Sequence, residues 1–237
     1  MTRNEGMKTP LRWLALFLAL GLASLSAAEP NTLTEAEKAT GWRLLFDGHS
    51  LAGWRGFRTD TPGAAWRVAD GVLINGGKTG DLMTTSVHGD FEFVFDWKIT
   101  VGGNSGVIYR IALGEAATYR TGPEYQLLDN EKAADNKLAN HLAGSLYDVG
   151  AAPTRDVTKP VGEWNTGRIV VRGWRVEHWL NGEKLLEVDL TSDAGRGSIA
   201  KSKFKDWPKF ASMARGFIAL QDHNDPVSFR NLKIRGL

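Results

Sequence analysis

The 237-residue sequence contains no cysteine. That excludes disulfides and a lipid-anchor thiol, so an exported form has to rely on its apolar core. A chain of this length can do so, because it buries most of its apolar surface on folding. Familiar catalytic signatures are missing as well. There is no Gly-x-Ser-x-Gly, no phosphate-binding glycine loop, no HExxH and no dinucleotide fingerprint. The Glu-x-Asp-x-x-Glu array of retaining glucanases is absent, so the two-carboxylate glycosidase mechanism finds no obvious pair of residues. No long amphipathic helix and no repeat of solenoid or propeller period occurs.

Charge of one sign is lacking once the amino-terminal segment is set aside. Arg3, Lys8 and Arg12 precede an apolar run from Trp13 to Ala23, and Ser26-Ala27-Ala28 supplies small residues for cleavage. This is the three-part pattern of a secretory signal peptide over residues 1–28. The run is short for a membrane span, which needs about 20 apolar residues. Removing its three basic residues and one acid from totals of 29 and 27 leaves 26 of each. A neutral mature chain gives no electrostatic case for nucleic acid or an anionic membrane. The expected location is the periplasm or outside the cell, with no stable membrane insertion after cleavage and no oligomeric partner assigned.

What is present is aromatic and turn-rich: nine tryptophans, eight of them after the leader, and 27 glycines. Residues 29–40 read as a linker with one helical turn, Thr34 and Glu37 forming a capping box. From residue 41 to 237 short apolar stretches alternate with Gly, Asn and Asp clusters, the pattern of an all-β chain. Phe91, Phe93, Phe95, Trp97 and Ile99 alternate with Glu92, Val94, Asp96 and Lys98, which predicts a strand. Further strands are expected at 106–111, 124–128, 168–171, 175–180, 184–190, 216–221 and 227–234. Asn181-Gly182 predicts a two-residue hairpin. The simplest architecture is one β-sandwich domain. Segments 131–141 and 191–212 fit no strand, are long for loops, and would rim one end of a groove.

Four stretches carry side chains suited to chemistry. In GPEYQLLD, alternation sends Tyr125 and Leu127 inward and Glu124 and Gln126 outward together. In FIALQDHND, Ile218 and Leu220 point inward while Gln221 and His223 share the other face. In RVEHWLNG, His178 shares a face with Val176 and Leu180, which suits a core histidine. In GGNSGVIYR, Asn104 and Arg110 fall on the same side of the strand, and arginine's rigid donor fork could hold a hydroxyl or a carboxylate. For each, an ordinary solvated or core position is the competing reading.

Ten motifs then occur in order: LFDGHSLAGW, WRVADGVL, DFEFVFDWKI, GGNSGVIYR, GPEYQLLD, AGSLYD, GEWN, VEHWLNG, LQDH and VSFRNLKI. Together, over about residues 41–237, they resemble the 3-keto-disaccharide hydrolase domain family. The resemblance implies a concanavalin A-like jelly roll of two antiparallel sheets. It also implies cleavage of a glycoside whose C3 hydroxyl has become a ketone. Such a ketone acidifies the C2 proton, so a base can form an enolate that expels the C1 substituent, after which water adds. That route needs a base near C2 and a donor or cation for the enolate oxygen, and no paired carboxylates.

On this resemblance Glu124 or His223 is the expected base, with His178 an acid or metal ligand. Arg110, Gln126 and Gln221 would bind hydroxyls or the C3 oxygen, with Asn104 beside them, and Tyr147 and Trp164 would contact the sugar. A divalent metal ion held by some of Glu124, His178 and His223 is the one cofactor the resemblance leaves open. The alternative is a non-catalytic carbohydrate-binding module on the same fold.

Overall fold

The computed structural model describes residues 1–2, 29–150 and 155–237. The leader expected over 1–28 lies, beyond its first two residues, outside the described residues. Among the described residues no helix is long and apolar enough to cross a membrane.

The strands are β1 (Arg43–Leu44), β2 (Trp54–Gly56), β3 (Trp66–Ala69), β4 (Val72–Asn75), β5 (Leu82–Thr84), β6 (Phe91–Ile99), β7 (Asn104–Ile111), β8 (Glu124–Leu128), β9 (Asn165–Arg172), β10 (Arg175–Leu180), β11 (Glu183–Asp189), β12 (Phe217–Leu220) and β13 (Val227–Gly236). Among the described residues two short α-helices accompany them, α1 (Glu35–Ala39) before β1 and α2 (Asp193–Lys201) after β11. The strands form two antiparallel sheets. One runs β11-β10-β9-β6-β13-β4-β3, with β1 also paired to β13; the other runs β2-β5-β12-β7-β8. The fold is therefore the all-β sandwich that the alternation predicts, in the jelly-roll form that the resemblance implies.

β6 shows why these residues make a sandwich. Phe91, Phe93, Phe95, Trp97 and Ile99 are at most 4% exposed and face the second sheet. Burying each contributes on the order of 1.5–3 kcal/mol. Phe95 meets Tyr125 of the opposite sheet edge-on at 5.3 Å between ring centroids. On the outer face, Glu92 pairs with Arg168 at 2.6 Å and with Arg235 at 2.6 Å, and Asp96 with Arg230 at 3.2 Å. The carboxylates on the polar half of the pattern are thus neutralised by neighbouring strands. Between β10 and β11, Asn181 and Gly182 take φ of 50° and 87°, the positive values that a type I′ turn requires.

Two features differ from the sequence reading. Strands β1 to β5 have only two to four residues each, too few for a period-two pattern to register. The segment expected as a linker is fastened to the domain. Asn31 donates its backbone N–H to Asn231 Oδ1 at 2.6 Å and accepts from Asn231 N–H at 2.8 Å, and its amide donates to Gly71 O at 2.8 Å. Thr34 and Glu37 form both halves of the capping box of α1.

The second sheet positions the candidate site. Its edge strand β8 is covered by residues 144–147: Gly144 N–H donates to Gln126 O, Gln126 N–H to Ser145 O and Tyr147 N–H to Glu124 O, at 2.8, 3.2 and 3.0 Å. This satisfies the edge and fixes Tyr147 beside Glu124.

Candidate active site

A cavity of about 290 Å³ opens on the face of the second sheet turned away from the core. The ends of β7, β8 and β12 supply Asn104, Glu124, Gln126, Gln221 and His223. Alternation places them there. Tyr125, Leu127, Ile218 and Leu220 are buried in the main core, so their neighbours in sequence project the other way. The two loops expected to rim a groove do so: 131–141 contributes Asp135, and the stretch after α2 contributes Lys203 and Trp207. Tyr119, Arg120 and Tyr147 complete the wall. A hollow of about 320 Å³, lined by Trp97, Ile99, Asp129 and Lys159, lies elsewhere and contains none of the expected site residues.

Glu124 is the central group. It is 6% exposed and its side chain crosses the bare α-carbon of Gly106 on β7. Burial pushes its carboxyl up to about 8, against the pull of Lys203; Asp81 and Asp135 push further upward and the Gln221 amide favours the anion. In the amide orientation that satisfies its nitrogen, Gln126 donates to Glu124 Oε1 at 3.1 Å and to Ser105 O at 3.1 Å. In the opposite orientation the Gln126 amide donates instead to Asn104 Oδ1 at 3.3 Å. Gln221 is 7% exposed, and among the described residues its Oε1 has no hydrogen-bond partner. A buried amide oxygen without a donor, on the wall of a polar cavity, is a place for a ligand hydroxyl. His223 stands exposed at the rim. The turn that carries it is held by Asp222, which accepts from the backbone of Lys78, Thr79 and Gly80.

Asp135 accepts the Tyr147 hydroxyl proton at 2.7 Å and faces His141 Nδ1 at 2.8 Å. His141 Nε2 faces Asp148 at 3.1 Å, and its ring stacks on Tyr147 at 4.3 Å. Burial, and then Asp135, raise the Tyr147 phenol, so it remains a proton donor. Asp135 and Glu124 thus bring two carboxylates into one cavity, a pair that no spacing in the sequence discloses. At the mouth, Arg120 lies over the Trp207 ring at 4.1 Å, and Tyr119 meets Trp207 at 5.9 Å.

Three expected site residues are elsewhere. Arg110 leaves the predicted face because β7 bulges there. Its φ is 54°, and pairing with β12 slips between Phe217 and Ala219. Its guanidinium donates to Gly173 O at 2.5 Å and to Asp90 at 3.0 Å, and lies over Trp174. Trp164 lies outside the cavity, where Arg230 and Lys98 cover its ring at 4.3 and 4.9 Å. His178 is 0% exposed, between Tyr109 OH and Gly144 O at 3.1 Å each. It is the core histidine that its period indicates, and it does not line the cavity. The trio Glu124, His178 and His223 therefore does not assemble around a metal ion. Among the described residues no group of three or more His, Cys, Asp or Glu side chains is arranged to hold one.

Comparison with known proteins matches these features to one family. Residues 41–235 match the 3-keto-alpha-glucoside-1,2-lyase-like domain. A Bacteroides thetaiotaomicron protein named 3-keto-disaccharide hydrolase is 34% identical, the match covering 90% of this chain and 84% of that one. A crystal structure from Parabacteroides distasonis, of a candidate glycosyl hydrolase, superposes with a TM-score of 0.83 at 34% identity, covering 88% of this chain and 100% of the other. A second from the same organism gives 0.68 at 28% identity, covering 83% and 99%. The chain belongs to the 3-keto-alpha-glucoside-1,2-lyase-like domain family.

Proposed function

We propose that this protein is a glycoside-cleaving enzyme acting on 3-keto-glycosides, by elimination through a C2 enolate followed by hydration. The observation that carries the reading is Glu124: a buried carboxyl in a polar cavity, flanked by amides and raised to about 8. A group so placed exchanges a proton near neutral pH. The Glu124 carboxylate takes the C2 proton, the C–H electrons form C2=C3, and the carbonyl electrons move onto the C3 oxygen. Return of those electrons re-forms the ketone, creates C1=C2 and breaks the bond from C1 to the leaving oxygen. That oxygen leaves with a proton from Glu124 or from His223 at the rim. Water then adds its oxygen to C1 and a proton to C2, giving the free 3-keto sugar. Gln126, Gln221 and Asn104 would bind hydroxyls, while Tyr147, its ring covered by His141 and Lys203, would offer the sugar only its edge.

The test is incubation with a 3-keto-disaccharide and with its unoxidised parent, followed by NMR in D2O. Cleavage of the keto form alone, with deuterium entering at C2, supports the reading. Full activity of both Glu124→Gln and His223→Ala would sink the assignment of the base. Asp135 in the same cavity favours a second reading, direct two-carboxylate hydrolysis, which cleavage of the parent without C2 exchange would reveal. Ligand binding without turnover of either compound would leave the carbohydrate-binding module. The leader motivates a further proposal, export with cleavage before Glu29, which the amino-terminal mass of the mature protein checks.

A further inference from the structure

The enolate route places negative charge on the C3 oxygen, and with Arg110 outside the cavity that charge needs another cation. Lys203 and Arg120 are the two on the wall. Arg120 is stacked on Trp207 at the mouth. Lys203 instead holds its ammonium 4.1 Å from the centroid of the Tyr147 ring, and Tyr147 is tied to the backbone of Glu124. Among the described residues the Lys203 ammonium forms no ion pair with a carboxylate and no hydrogen bond to the protein. Its N–H groups remain available to a bound oxygen.

The chain beneath Lys203 is packed and tethered. Ser202 and Phe204 on either side are 4% and 1% exposed. Phe204 stacks on Phe210 at 4.0 Å and donates its backbone N–H to Ser202 Oγ at 3.1 Å. The Lys203 N–H is itself fixed to Asp148 Oδ2 at 2.7 Å. Lys203 is itself exposed, but its ammonium rests over the Tyr147 ring and lines the same cavity as the buried Glu124 carboxyl, a placement suited to charge that develops during reaction.

We propose that Lys203 is a catalytic residue whose ammonium takes the C3 oxygen of a 3-keto sugar as it becomes an enolate. The role rests on the elimination reading of the same cavity. No bond to lysine forms: an ammonium N–H donates to the oxygen while Glu124 removes the C2 proton, and the hydrogen bond relaxes when the ketone returns.

The experiment compares wild type with Lys203→Met and Lys203→Arg on a 3-keto-disaccharide, measuring kcat, KM, deuterium entry at C2 and the pH profile. Lys203→Met is expected to lower kcat by about 100-fold, as loss of one oxyanion donor does, with a smaller change in KM. C2 exchange should fall in parallel, and Lys203→Arg should retain more of both. Because Lys203 pulls the Glu124 carboxyl downward, the methionine variant should also carry the rising, acid-side limb of its profile to higher pH. Unchanged kcat in Lys203→Met would overturn the role, as would lost kcat with undiminished C2 exchange. A borohydride-trapped adduct on Lys203 would overturn the non-covalent form. A wild type that neither cleaves the keto substrate nor exchanges C2 would instead defeat the elimination reading beneath it.

Discussion

Glu124 occupies the space that a side chain on Gly106 would fill. A Cβ on Gly106 would meet Glu124 Cδ and Cγ at 2.9 Å and its Oε1 closer still. β7 therefore carries a bare position opposite the carboxyl, and the strand interior accepts a glycine that is otherwise unfavourable there.

Gly106→Ala consequently separates fold from function. The alanine suits an extended strand, which offsets part of the cost of displacing the buried Glu124 side chain, so stability should fall by no more than about 1–3 kcal/mol. The Glu124 carboxyl has to swing away, and misplacement by about 1 Å costs on the order of 100-fold in rate. The check is kcat on a 3-keto-disaccharide together with the melting temperature. Wild-type turnover in Gly106→Ala would show that the position of Glu124 is not needed.

Glu124 also links function to pH. Its carboxyl is raised from 4.5 to about 8, chiefly by burial. Below 4.5 it is protonated in both folded and unfolded chains and has no effect on stability. Between 4.5 and about 8 the unfolded chain ionises more readily, so stability is lost as pH rises. Glu124→Gln should thus be more stable than wild type at pH 8, by up to a few kcal/mol at about 1.4 kcal/mol per pH unit, and nearly equal at pH 4. Urea unfolding at the two pH values measures this. In wild type kcat/KM should climb through about pH 8 as the base form appears, and in Glu124→Gln that limb should vanish.

Alternation over one strand determines which side of a sheet a residue faces, and that much is legible in sequence. Glu124 and Gln126 sit outward because Tyr125 and Leu127 sit inward, and the same rule places Gln221 and His223. The rule fails at Arg110, where a bulge adds one residue and turns the side chain aside; adjacent glycines signal that a bulge can form but not where. Asp135, Lys203 and Trp207 lie in non-strand segments. Their presence at a groove is readable from loop length, but which side chain points inward depends on contacts such as Phe204 on Phe210. Arg120 and Tyr119, on a short turn between β7 and β8, leave no signal in the sequence. Motif membership also misleads at Trp164 and His178, where aromatic and imidazole groups serve packing.

Arg110 and Trp164 supply a paired control. Arg110→Lys removes the fork that spans Gly173 O and Asp90, and Trp164→Ala uncovers an outer-face cluster. Each should lower stability by about 1–3 kcal/mol while kcat and KM stay within about twofold, since neither lines the cavity. Steady-state kinetics beside denaturant titration measures both. A tenfold loss of kcat/KM in either, with stability intact, would return that residue to the site.

His178 is predicted to govern stability alone. Burial lowers its imidazole from 6.5 to about 4, against the hydrogen bonds at Gly144 and Ser145, so it stays neutral in the fold. Above 6.5 the folded and unfolded chains both hold it neutral. As pH falls from 6.5 toward 4 the unfolded chain gains a proton that the folded chain refuses, and stability is lost. His88, lowered to about 4 mainly by burial, adds a loss of the same sign. His178→Leu leaves Tyr109 OH and Gly144 O without their partner, at about 1–3 kcal/mol for each buried group. Near pH 7 the variant should therefore be less stable than wild type. Its stability should also fall less steeply between pH 6.5 and 4, by the contribution of one proton. Urea unfolding across that range, with kcat measured on the folded enzyme, tests both statements. Loss of turnover in a variant that remains fully folded would show that the buried imidazole acts on the reaction.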